Sequence, residues 1–212
     1  MQKRHAFRPG SLGPLEDRLV LSRMTMGPAQ VASPSTVRAS RSTSDRMTTQ
    51  FEINFLTGMI PHHQMAIRMS QIALRNSDNP EVRDLARRII SEQRPEIQQM
   101  KRFLAHNGVR GYQPTTTPDE QAVLQELRSL RGTEFDRAFL TEMTGHHQAA
   151  ISGEHGMVGA SECLGRAAQP GLRQLCSNIV RTQTQEIQEM QTLLEEAGGM
   201  PLGHGGMDGH GG

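Results

Sequence analysis

Met59 stands three residues before His62 and four before His63, and Met143 stands in the same relation to His146 and His147. On a helix, residues three and four apart share a face, so each sulfur and its two imidazoles crowd together. Thioether sulfur and imidazole nitrogen in one place suit copper: Met selects Cu(I), and His serves either oxidation state. A thioether also takes up no proton, so such a ligand survives acid that would cost a histidine. Met65 and Met69 form a further i, i+4 pair, and Met100 and Met190 occupy matching places on later segments. Methionine at helical spacing usually fills core, and for Met100 and Met190 core packing is the preferred reading. The His pairs differ. Burying four imidazoles is unfavourable unless each finds a partner, so ligation is preferred over a purely structural polar network.

Other residues bear on the same chemistry. Pro61 and Gly145 sit just before the two His pairs, and both weaken a helix. A local kink that opens each pair toward a ligand is the expectation. Glu96 and Glu186, with Gln93 and Gln183 one turn earlier, either orient the imidazoles or are simply solvated. Cys163 and Cys176 straddle the turn at Gln169-Pro170, where a disulfide across a helical hairpin is geometrically open to them. The alternatives are two buried thiols or soft ligands. The closing stretch from Met200 to His210 is too Gly-rich to fold alone, and its His204, Met207 and His210 are further candidate ligands. A plain disordered tail is the competing reading.

The elements that must position these residues are helical. Residues 1–47 read as leader and disordered linker, the stretch 22–47 being Ser, Thr, Pro, Arg and Met without apolar period. Order is expected from Thr48 or Thr49, either of which could cap a helix running through the first His pair to about Arg75. Asn79-Pro80-Glu81 opens a second helix, which ends at His106-Asn107-Gly108. A linker from Gly111 to Pro118 precedes a short helix over Asp119 to about Leu130. Thr133 is the expected cap of a long helix through the second His pair to about Gly165. Pro170 starts the last helix, which ends at Gly198-Gly199. Phe51–Ile67 aligns without gaps on Phe135–Ile151, and Gln93–Met100 aligns on Gln183–Met190. Two matching helical hairpins, about 48–108 and 133–198, are each too small to bury an apolar face alone. They are expected to close into an all-α four-helix bundle over 48–198, with 199–212 as a disordered Gly/His/Met tail.

Composition agrees. One Tyr, no Trp and six Phe among 212 residues suit a bundle packed with Leu, Ile, Met and Ala. Thirteen Met and nine His are the unusual feature. A formal net charge of +1 gives no basic field for nucleic acid. No run of 18 apolar residues exists, so no membrane span is expected. The stretch from Arg8-Pro9-Gly10-Ser11-Leu12 to Leu15-Glu16-Asp17-Arg18-Leu19 resembles the leaders of many planctomycete surface and secreted proteins. That resemblance implies export to the periplasm or the exterior, against the alternative of a basic disordered tail.

The Met59–Ile67 stretch, the Phe135–Ile151 stretch and the two Gln-x-x-Glu-Ile-x-x-Met segments resemble the domain-of-unknown-function family 305 over roughly residues 48–198. The resemblance implies a ferritin-like fold and, from periplasmic members that bind copper through Met and His, metal positions at Met59, His62, His63, Met143, His146 and His147. Gly153, Gly156 and Gly159 depart from the family pattern after the second pair, Gly153 standing where the first half has Met69. The expected function is copper sequestration, buffering or handover in the cell envelope, with a metal ion and another copper-handling protein as partners and no substrate turnover. The alternatives are a ferritin-like di-metal oxidase and a helical interaction module without metal. The oxidase expectation is weakened because no Glu in the chain has His three residues later.

Overall fold

The computed structural model describes residues 35–154 and 156–198, with side chains from residue 45 onward. The tail candidates His204, Met207 and His210 lie outside the described residues. Among the described residues the chain is all-helical: α1 Ser35–Asn76, α2 Pro80–His106, α3 Pro118–Ser129, α4 Gly132–Ser152, α5 Ala160–Arg166 and α6 Pro170–Glu196.

Local chemistry accounts for most boundaries. The Asn79 side chain accepts from Glu81 N at 2.9 Å, Pro80 fills the first helical position, and α2 ends at Asn107 before Gly108 in the left-handed region. Thr117 and Glu120 form a reciprocal capping box on α3.

Three expectations are corrected. Helix α1 begins at Ser35, inside the stretch expected as linker, and Thr49 does not cap it: its hydroxyl donates to Asp45 O at 2.7 Å, four residues back, as a mid-helix Thr does. Helix α4 starts at Gly132 behind Arg131, with no side-chain cap, so Thr133 lies inside it. Nor does α4 reach Gly165. It ends at Ser152, Gly153 turns left-handed (φ 82°), and the short α5 follows. Helices α1 and α4 run on without interruption through Pro61 and Gly145.

Helix α1 packs on α2, α4 and α5 pack on α6, and α1 crosses α4. The core falls into two apolar clusters. One gathers Phe55, Leu56, Met59, Met100, Leu172 and Ile179; the other gathers Met65, Met69, Leu85, Phe139, Met143 and Met190. Helices α1 and α6 run from the first cluster to the second, and α2 and α4 run back. On each long helix the change of cluster brackets the polar residues of the sequence motifs. A layer of His, Gln and Glu therefore crosses the bundle at mid-height.

Candidate metal centre

The His layer is assembled from α1 and α4, which cross there, and is backed by α2 and α6. His63 and His147 are fully buried. His62 and His146 lie nearer the surface, and their rings stack with centroids 3.5 Å apart and planes 14° from parallel. His146 Nε2 lies 2.9 Å from the His62 carbonyl and donates to it, so the second hairpin is bonded directly to the backbone of the first.

Each inner imidazole is held from the facing helix of its own hairpin. His63 Nε2 lies 2.9 Å from Glu96 Oε2, and His147 Nε2 lies 2.9 Å from Glu186 Oε2. When the glutamate is ionised it can only accept, so the ring N–H donates to it, which fixes the tautomer and leaves Nδ1 with its lone pair. The Nδ1 atoms of His62, His63 and His147 are buried and have no hydrogen-bond partner. A carboxylate on one ring nitrogen and a free lone pair on the other is the arrangement by which outer carboxylates orient metal-binding histidines.

Electrostatics keep three of the four rings neutral. Burial, reinforced by the neighbouring histidines, holds His62 well below its ordinary range and brings His146 and His147 down to about 3. Burial also pushes the Glu186 carboxyl up to about 7. Arg88, ion-paired with Glu189, acts against that rise.

The sulfurs lie on both sides of the layer. Met59 and Met100 belong to one apolar cluster, and Met143, Met190, Met65 and Met69 to the other, all nearly or fully enclosed. Each His pair thus has its own Met one turn away, packed into core rather than facing water. Among the described residues no three His, Cys, Asp or Glu side chains converge tightly enough to hold an ion. The sulfurs above and below the layer are donors of a further kind beside the imidazoles. The orphaned lone pairs, neutral rings and adjacent sulfurs fit a soft cation, whereas a hard one would call for a cage of oxygens.

Cys163 of α5 and Cys176 of α6 form a disulfide with Cα atoms 6.0 Å apart, and neither is a ligand. The amide oxygens of Gln93 and Gln183 and Oε1 of Glu186 are buried without partners in the same layer. Sequence reasoning missed Met157, whose side chain rests on Gly58 of α1. The available signal was Gly58 itself, a helix-interior glycine aligned with Glu142 in the other half.

This fold and this layer define a helical bundle of one family. The chain belongs to DUF305, a domain of unknown function whose family pattern matches residues 22–104 and 52–194. Among solved structures it is similar to CopM in the Cu(I)-bound form, at 30% identity and TM-score 0.58 over 68% of this chain and 96% of CopM. CopM is also known in Ag-bound, Cu(II)-bound and apo forms. A DUF305 protein of Streptomyces coelicolor that carries the name of a secreted protein is similar at 27% identity and TM-score 0.62, over 73% of this chain and 97% of that one. Over 50 residues the chain is 44% identical to the uncharacterized protein L153 of Acanthamoeba polyphaga mimivirus. That match covers 24% of this chain and spans 33% of the viral protein. No described helix is long and apolar enough to cross a membrane.

Proposed function

We propose that this protein binds copper, as Cu(I) above all, for sequestration, buffering or handover, without turning over a substrate. The observation that carries the reading is the set of buried, unpartnered Nδ1 atoms of His62, His63 and His147, two of them on rings tied back to Glu96 and Glu186. Met59, His62, His63, Met143, His146 and His147 are the ligands we propose, with Met65, Met69, Met100 and Met190 as reserve sulfurs. The likeness to CopM, a protein known with copper and silver bound, supports the choice of metal. We further propose that the protein works in the cell envelope and passes its ion to another copper-handling protein. The Cys163–Cys176 disulfide supports an oxidising compartment.

The test is titration of the apo-protein with Cu(I) against a competing chelator, beside His62→Ala/His63→Ala and His146→Ala/His147→Ala. Each double variant is expected to weaken binding tenfold or more while keeping its helical circular dichroism. Equal affinity in all three proteins would refute the assignment. Cu(I) should also raise the melting temperature with ligand concentration, which a bundle without a metal site would not do.

A further inference from the structure

The break after α4 brings against α1, one turn before His62, a methionine that neither motif contains. A Cβ on Gly153 would fall 2.5 Å from Gly159 N and 2.7 Å from Met157 O, and one on Gly159 would fall 2.5 Å from Gly153 N. Backbone therefore packs directly on backbone where Gly153 meets Gly159, a glycine neck that a side chain at either position would block. The neck holds Met157 against α1. Its side chain rests on Gly58, where an added Cβ would meet Met157 Cγ at 2.8 Å and Sδ at 3.5 Å. Glycine weakens a helix interior, and here its missing side chain is the seat for a thioether.

That seat adjoins the metal centre. Gly58 precedes His62 by four residues and shares its face, and helical side chains lean back over the preceding turn. Met157 is thus seated one turn before His62 on the same side of α1. Both residues are only partly buried, unlike the enclosed Met59 and His63. The His62 ring is stacked on His146, and its Nδ1, on the inner side of the ring, is buried without a partner.

We propose that Met157 and His62 form a soft-metal docking pair at the solvent edge of the His layer, through which Cu(I) reaches the enclosed donors. The inference rests on reading that layer as a soft-metal site. Transfer inward is an exchange of donors on an ion of constant charge, sulfur and nitrogen replacing one another with no electron moved. Met157 is the donor a solvent-borne ion meets first, and the glycine neck fixes its position.

The experiment uses the full chain, labelled at the methionine methyl carbons and titrated with Ag(I), a redox-inert ion of the same preference. At substoichiometric Ag(I) the Met157 methyl resonance, assigned by its loss in Met157→Leu, is expected to shift. Met157→Leu should slow Ag(I) capture from a chelator about tenfold. Gly58→Ala keeps every donor but displaces the side chain, and should slow capture similarly. If Ag(I) shifts the histidine resonances while Met157 stays still and both variants capture at the wild-type rate, the docking pair is overturned and the His-layer reading stands. If Ag(I) moves no histidine or methionine resonance, both fall.

Discussion

A buried histidine has two nitrogens to satisfy, and His63 and His147 each satisfy one through a carboxylate on the facing helix. That half-satisfaction has a cost that depends on pH. The rings of His62, His146 and His147 are neutral in the fold, whereas in the unfolded chain they protonate near 6.5. Their contribution to stability is intact above that value and is lost as pH falls below it, for His146 and His147 toward about 3. Glu186 works in the opposite sense. Raised from 4.5 to about 7, its carboxyl contributes stability that is present in acid and lost as pH rises through 7. Three imidazoles outweigh one carboxyl, so the melting temperature of the apo-protein should fall between pH 6.5 and 5. In Glu186→Gln the compensating gain is gone and the fall should be steeper. Thermal denaturation at both pH values checks this, and an equal or higher melting temperature at pH 5 would contradict it.

Elements declare themselves in sequence where a few neighbouring residues decide them. Asn79-Pro80 and Asn107-Gly108 bound α2 as read, because a cap is a local bond. The matching His pairs marked the layer for the same reason. Glu96 and Glu186 stayed ambiguous, since their partners lie 33 and 39 residues away and only packing selects between an imidazole and water. The early start of α1 was hidden because Ser, Thr and Arg set no apolar period. The loop after α4 was hidden because it depends on backbone contact between Gly153 and Gly159, which no periodicity records. Pro61 was legible as a weak point in α1, and its removal is informative. Pro61→Ala restores a missing hydrogen bond and should raise the melting temperature by several degrees. If the proline opens the His pair toward its ligand, the same variant should bind Cu(I) more weakly in a chelator competition. Unchanged affinity would remove that role.

At the scale of the whole molecule, the aligned residues Glu52 and Asp136 differ in what they reach. Glu52, near the start of the packed part of α1, accepts from Ala168 N at 3.0 Å, Gln169 N at 3.2 Å, Gln169 Nε2 at 2.6 Å and Asn107 Nδ2 at 3.3 Å. One carboxylate thus ties α1 to the end of α2 and the start of α6. Asp136, one methylene shorter, is buried with Oδ1 unpartnered, and burial pushes its carboxyl up. Glu52→Gln weakens charge-assisted bonds and is expected to cost about 1–3 kcal/mol. Asp136→Asn, which removes a charge that burial disfavours, should be close to neutral. Urea denaturation distinguishes the two, and equal losses would mean the clasp is not one-sided.

The disulfide closes at this same end of the bundle, and it anchors the seven-residue α5 at the far side of the glycine neck. Breaking it frees the segment between α4 and α6 to fray as a unit, while the long helices keep their own packing. Amide exchange should then quicken from residue 156 to 169 under dithiothreitol and stay slow in α2. A chain of identical sequence would in this way present a firm rim in an oxidising medium and a slack one in a reducing medium.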